Sequence, residues 1–486
     1  MAGYRTFTST ARATAAPLAP GRGAPVQDDT TTTATSASPT QTPPPTEPDG
    51  ATGRRWYQDL DRSQWRSLLA ANLGWLFDGF ETYALILTAG IVLRRLDPGA
   101  PQSQVAFLTG VTIAITLLGW GMGGILGGIF ADYFGRRRAL LTSMVLYATF
   151  TGLSALSWSW ASFLVLRFIT GFALGSEWGT GTSLVAEMWP AKARAKAAGL
   201  MQCGLGLGFF IASAVWFFVA PIGPDAWRIM FAIGVLPALF ALWLRRKVPE
   251  SPNWTGAAER RRALKARGRS ELTESERSFT RLTLRQIMAD PKLRRLTILG
   301  SLMSLVTTLA WWGISTWVPL YVSGLAAGQG HSATAWASGA GMIYNAGAIL
   351  GYVSFGFLAD RFGRKPTVLL YFAASLVMTP VLFLWTHSIG LVVIVLIVNG
   401  FFTLGQYTWM PVWLPEFYPT HLRATGAAFV FNAARFIAFL GPLLSGWIIS
   451  QLGGYGIAAT VVGCIYILGL VVAPFCPETR GRPLPE

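Results

Sequence analysis

The sequence predicts an all-α membrane protein: twelve transmembrane helices in two six-helix bundles, behind a disordered N-terminal tail. Three observations carry that reading. From Leu68 onward, apolar runs near 20 residues long alternate with short polar breaks, the length needed to cross a hydrocarbon core of about 30 Å. Hydrophobic residues make up 52% of the chain and charged ones 13%, which is too apolar for two or three soluble domains. One loop occurs twice, as Gly128-Ile-Phe-Ala-Asp132-Tyr-Phe-Gly135-Arg136-Arg137-Arg138 and as Gly356-Phe-Leu-Ala-Asp360-Arg361-Phe-Gly363-Arg364-Lys365. A second motif, Glu187-Met-Trp-Pro190-Ala-Lys-Ala-Arg194, recurs as Glu416-Phe-Tyr-Pro419-Thr-His-Leu-Arg423. Both pairs are separated by about 228 residues, and two motifs at one common shift mean a duplicated membrane half.

Residues 1–55 are largely Thr, Ala, Pro and Ser and cannot bury enough apolar surface to offset their chain entropy, so a disordered cytoplasmic tail is expected. With no apolar h-region it does not read as a secretory signal, and a transit peptide is the weaker alternative. The N-terminal bundle is expected over 56–246, with spans at 68–93, 105–131, 139–158, 161–187, 197–220 and 227–246. A polar central loop, 247–294, is expected to carry amphipathic helix along 258–268 and 282–289. The C-terminal bundle, 295–476, holds spans at 295–322, 335–359, 366–386, 390–415, 424–449 and 455–475, and 477–486 form a cytoplasmic tail. Basic clusters at Arg136–Arg138, Lys192–Lys196, Arg245–Lys247 and Arg361–Lys365 fall on one side of this count. The positive-inside rule then places both termini in the cytoplasm of a cell (plasma or inner) membrane protein. Arg94 and Arg95 fall on the other side, where Asp97 is expected to offset them.

The net charge of +16 sits in these short clusters between apolar spans, so it reads as topology and not as nucleic-acid binding. Cys203, Cys464 and Cys476 lack metal-ligand spacing, and His331, His387 and His421 fall in or near loops. No metal, cofactor or enzymatic nucleophile is expected.

In the repeated loops, Gly135 and Gly363 permit a tight bend while Asp132 and Asp360 can pair with guanidinium groups. The expected gate comprises Asp132, Gly135, Arg136, Arg137, Glu187 and Arg194, with Asp360, Gly363, Arg364, Glu416 and Arg423 in the second copy. A plain topological stop is the alternative. These loops, with Glu187-x-x-Pro190-x-x-x-Arg194 and the terminal Pro477-Glu-Thr-Arg-Gly, resemble those of major facilitator superfamily transporters over residues 60–482. The resemblance implies a cavity between two bundles and alternating access without ATP hydrolysis. Pro249-Glu-Ser-Pro252 is also similar to a sugar-porter motif, with Asn253 where an Arg usually follows.

Ionisable groups inside spans are costly, at least about 2.5–3.5 kcal/mol each on insertion scales, and so mark a cavity or a partner. Asp78 and Glu81 share one face of the first span. They and Glu177 in the fourth are the candidate proton-coupling residues; the alternatives are pairing with Arg167 and a buried salt bridge to a neighbouring helix. Arg435 in the eleventh span cannot release its proton, and its planar fork suits a carboxylate. Asn432 lies one turn earlier. Either the two bind the substrate's carboxylate, or Arg435 pairs with Asp78 or Glu177. Asn345, Tyr344, Gln406 and Trp312 are further substrate-binding candidates at cavity depth.

Asp78-Gly-Phe-Glu81, Gly175-Ser-Glu177-Trp-Gly179 and the run Ala186–Gly199 resemble the sialate:proton symporter branch, whose cargoes are sialic acids and small monocarboxylates. Glu81 stands where that branch often has Asp. There is no extra pair of central spans, and the seventh span lacks the polar motif of fungal lactate carriers. The Asp-Gly-Phe pattern is shared with aromatic-acid:proton symporters. The expected function is therefore proton-coupled symport of a small organic anion by a monomer in the lipid bilayer. An aromatic-acid symporter, a neutral-sugar porter and a transporter-like nutrient sensor are the alternatives.

Overall fold

A computed structural model describes residues 56–267, 271–273, 276, 279–440 and 454–485. The expected tail 1–55 lies outside the described residues, as do Glu486 and residues 441–453, which take in the second part of the eleventh expected span. Helix α1, Arg62–Leu96, starts at a reciprocal cap: the Asp61 carboxylate accepts from the Gln64 N–H, and the Gln64 side chain accepts from the Asp61 N–H, both at 2.8 Å. It is followed by α2 (Gln102–Phe134), α3 (Arg136–Ser154), α4 (Trp160–Met188) and α5 (Arg194–Val219). The sixth expected span is two pieces, α6 (Ala226–Ile233) and α7 (Leu236–Lys247). Pro237 lacks an N–H and crowds the carbonyl four residues back, so the helix stops at Gly234 and restarts.

The central loop folds into α8 (Pro252–Ala266) and α9 (Thr283–Ala289). Helix α8 begins earlier than expected because Ser251 caps it, its Oγ accepting from the Trp254 N–H at 3.2 Å, with Pro252 in the first turn. The second half starts with α10 (Pro291–Ala310), which passes through a π-turn at Trp311–Ser315 into α11 (Val318–Gly328). Then come α12 (Ala333–Phe362), α13 (Arg364–Pro380), α14 (Ile389–Thr403) and the short α15 (Trp409–Trp413). The described chain finishes with α16 (Arg423–Ala433), α17 (Arg435–Ala438), α18 (Tyr455–Gly463) and α19 (Ile465–Val472).

Eight of these stretches are long and apolar enough by themselves to cross a membrane. The other expected spans are α3, α4, the broken α6–α7 and the described part of the eleventh. Within the first half α2 packs on α4 and α1 on α5, and the halves meet where α5 lies against α12 and α2 against α16. Under the internal repeat α2 corresponds to α12 and α5 to α16, so the two seams are copies of one contact. Gly135 and Gly363 sit at the matching sharp bends with φ of 108° and 109°, the region that glycine alone enters without strain.

On the face opposite the basic loops, Arg95 is neutralised by Asp225 and not by Asp97. Its Nε and Nη2 donate to the two carboxylate oxygens of Asp225 at 3.1 and 3.0 Å. Asp97 instead terminates α1. The partner stands at the start of α6, about 130 residues away in the chain, a closeness that only helix packing creates.

Candidate transport site and gate

The repeated loops build a charge lattice on the basic face. Arg136 contacts Asp132 at 2.8 Å and Glu187 at 2.9 Å, and Arg364 contacts Asp360 at 3.1 Å and Glu416 at 2.8 Å, so each half repeats one triad. Among the contacts that then cross the seam are two symmetric pairs. Glu187 meets Arg423 at 3.0 Å, and its counterpart Glu416 meets Arg194 at 3.7 Å. Asp132 accepts from Thr425 N–H and Oγ–H at 2.8 and 2.6 Å, and its counterpart Asp360 pairs with Lys196 at 2.6 Å. Arg137 enters the lattice through its backbone alone, its N–H donating to the Glu250 carboxylate at 3.2 Å.

Sequence reasoning missed six members of this lattice: Lys196 and Thr425 at the seam, and four around the helix starts. Glu250 caps α3 through the N–H groups of Arg136 and Arg137, and Glu478 caps α13 through those of Arg364 and Lys365. Beside them Ser251 donates to Glu187 and Thr479 to Glu416. The signal was present: Pro249-Glu-Ser and Pro477-Glu-Thr stand at the same shift as the other repeats. The lattice is strongly positive around His421, whose imidazole is pushed down to about 4 by burial and by Arg261, Arg260, Arg423 and Arg136.

Deeper in, Asp78 on α1 and Glu177 on α4 are buried side by side. A Cβ on Gly74, one turn before Asp78, would overlap Glu177 Oε1, so the carboxylate fills the groove that this glycine leaves. All four oxygens of the pair lack a hydrogen-bond partner among the described residues. Glu81, by contrast, is engaged by Arg167 in a buried ion pair, and Arg167 also donates to Ser154 and Thr170. That pairing is one of the two readings the sequence left open.

Between the halves lies a cavity walled by Trp75, Trp120, Trp311, Trp312, Tyr407 and Arg435. The guanidinium carbon of Arg435 lies 4.7 Å from the Trp120 ring and 4.2 Å from that of Phe431, and Nη1 donates to the Phe431 carbonyl at 2.8 Å. Its Nε has no partner, and among the described residues it forms no ion pair, so the alternative of a permanent pair with Asp78 or Glu177 is not what the geometry has. The indole N–H groups of Trp75, Trp120 and Trp311 are also buried without acceptors. Below the cavity, Trp178 of α4 stacks on Phe431 of α16 with centroids 3.7 Å apart, joining the halves beside Glu177.

An adjoining cavity shares the walls Phe209 and Trp311 and holds Ser315, Tyr344 and Asn345. Of the expected substrate residues, Arg435 and Trp312 thus line the first cavity, and Tyr344 and Asn345 the second. The structure does not bring Gln406 or Asn432 to either wall. The Gln406 carbonyl accepts from Thr307 at 2.8 Å, and Asn432 packs on Gly124 in the α2–α16 seam. Trp75 and Trp120 were not singled out from the sequence, where Trp in a span reads first as an interfacial residue.

A family model described as "Sugar (and other) transporter" matches residues 82–486. The chain belongs to this family. The family's major facilitator fold is seen in a solved proton:xylose symporter bound to 6-bromo-6-deoxy-D-glucose. That structure has a TM-score of 0.70 and 24% identity, over 87% of this chain and 98% of that one. Among its relatives, the cis,cis-muconate transport protein of Acinetobacter baylyi is 28% identical over 86% of this chain and 95% of its own length. The sialic acid transporter of Escherichia coli is 26% identical over 84% of this chain and 92% of its own. The protein is a multi-pass membrane transporter of this family and not an enzyme.

Proposed function

We propose that the protein is a proton-coupled symporter of a small, flat organic carboxylate, aromatic or conjugated, working as a monomer by alternating access in the cell membrane. The basic face, with both termini, is cytoplasmic. The observation that carries this reading is Arg435: a buried cation with no carboxylate partner among the described residues, set in a box of indole rings. Three of those rings hold N–H donors with nothing to donate to. Each orphaned donor costs about 1–3 kcal/mol, and a bound carboxylate relieves several at once while its ring or conjugated chain stacks on the walls. The muconate-carrying relative is named for a flat, conjugated acid, though one with two carboxylates, and that planarity favours the aromatic-acid alternative over a sialate-like one.

Asp78 and Glu177 supply the coupling. Two ionised carboxylates facing each other are acceptors only and have no bond to make, whereas one proton between them creates a donor and a bond. Loading that proton and loading the anion are two charge-neutralising events on opposite sides of the Trp178–Phe431 stack.

The test is uptake into proteoliposomes under an inward proton gradient, with labelled benzoate, nicotinate, lactate, sialic acid and glucose side by side. Accumulation of benzoate or nicotinate, abolished by a protonophore, is expected; glucose uptake alone overturns the anion reading, and a preference for sialic acid or lactate overturns the flat cargo. In Glu177→Gln or Asp78→Asn, gradient-driven accumulation is lost while exchange of labelled for unlabelled acid at equal pH persists. Undiminished accumulation in both variants sinks the coupling assignment.

A further inference from the structure

The two joined cavities present opposite hydrogen-bonding faces. At the Arg435 end the unsatisfied groups among the described residues are Arg435 Nε, the indole N–H groups of Trp75, Trp120 and Trp311, and the Thr82 hydroxyl, each of which can donate. At the other end, beyond the shared Trp311, the unsatisfied group among the described residues is an acceptor. Asn345 is 2% exposed, and its Nδ2 donates to the Gly341 carbonyl at 2.8 Å, which fixes the amide; its Oδ1 meets no donor among the described residues.

The hydroxyls around it are spoken for. Thr403 Oγ donates to the Asn399 carbonyl at 2.7 Å, and so must accept from the Tyr344 hydroxyl at 2.7 Å. Tyr344 in turn accepts from Ser315 at 3.1 Å. In this chain of hydroxyls each hydrogen is taken by the next oxygen, which leaves the Ser315 oxygen as a second acceptor. Thr316 donates to the Trp312 carbonyl at 2.6 Å. The Tyr83 hydroxyl lies by Ser213, whose own hydrogen goes to the Phe209 carbonyl at 2.9 Å. No charged residue lines this end.

We infer that the cargo is a monocarboxylate bearing a hydrogen-bond donor, a hydroxyl or N–H, at the end away from its carboxylate, and that Asn345 is the residue that reads this donor. The inference rests on the assignment of Arg435 as the carboxylate site and adds the chemistry of the far end. A dicarboxylate would set its second anion against Asn345 Oδ1 and Ser315 Oγ with no cation to meet it. A site built to bond a hydroxyl discriminates sharply against the analogue that lacks it, because its buried acceptor is then left bare.

The experiment is binding to the purified full chain, read by quenching of the cavity tryptophans. The probes are benzoate, 3- and 4-hydroxybenzoate, their methyl ethers, and terephthalate. The better-placed phenol binds at least about tenfold tighter than its methyl ether, and terephthalate is the weakest of the set. Asn345→Leu brings the phenol-to-ether ratio towards one, and Asn345→Asp, which keeps an acceptor, preserves the preference. Equal binding of phenol and ether at both ring positions, or tightest binding of terephthalate, overturns the inference while leaving the carboxylate site standing. Binding of glucose with no benzoate bound at all overturns the Arg435 assignment, and this inference with it.

Discussion

Arg435 shows how much one side chain can decide when it is placed where no counter-ion is supplied. Its charge is held by stacking on Trp120 and Phe431 and by a bond to the Phe431 carbonyl, and among the described residues it forms no ion pair, which leaves it open to a ligand. Arg435→Ala is expected to raise the half-saturating concentration of the acid by about tenfold to a hundredfold, the worth of a hydrogen bond to a charged group. Arg435→Lys, which keeps the charge and loses the planar fork, falls between the two. An unchanged KM in proteoliposome uptake for both variants would make the arginine a packing residue. The arginine and the acids at 78 and 177 were legible in the sequence because charge inside an apolar run is conspicuous. Trp75 and Trp120 were not, since an indole looks the same whether it faces lipid or a cavity.

At the scale of the element, the sharp turns between α2 and α3 and between α12 and α13 govern how the lattice is presented. Gly135 and Gly363 hold positive φ, and a Cβ at Gly135 would also run into the Glu250 carboxylate that caps α3. Gly135→Ala is therefore expected to cost at least about 1 kcal/mol, seen as a lower thermal unfolding temperature in detergent. At Gly363 the added Cβ meets the Glu478 carboxylate at 2.8 Å, so Gly363→Ala should behave alike. A neutral effect at both would remove the turn argument. The glycines were readable from the repeat, but the capping acids became recognisable only when the structure set Glu250 and Glu478 on the helix starts. The break between α6 and α7 was within reach of the sequence through Pro237, and a continuous span was expected there because its apolar run is unbroken.

For the whole molecule, the lattice ties the two halves together on the basic side. The crossing contacts are not equal: Glu187 binds Arg423 at 3.0 Å and Arg136 at 2.9 Å, whereas Arg194 reaches Glu416 at 3.7 Å. Removing Glu187 takes from buried Arg423 the carboxylate it pairs with and from Arg136 one of its two, a loss that typically costs about 3–5 kcal/mol for a buried pair. Removing Arg194 leaves Glu416 still bonded to Arg364. Glu187→Gln is thus expected to shift the population toward the state open on that side far more than Arg194→Gln does. Hydrogen exchange of the first turn of α16, where the Thr425 amide bonds Asp132, measures this. Equal exchange in both variants would deny the asymmetry.

The sequence by itself determined the class, the number of spans, the duplication and the list of charges that must not face lipid. Each is written in local composition and spacing: a span is apolar over a fixed length, a repeat is self-similarity, and a buried charge is an exception within its own run. Tertiary structure alone decided the pairings. It gave Arg95 to Asp225, Arg167 to Glu81 and Arg423 to Glu187, and among the described residues left Arg435 without a carboxylate. Those outcomes depend on which faces of distant helices meet and at what depth. Charge and hydrogen-bond energies fall away over a few ångströms, so a partner is chosen by packing geometry that no single segment contains.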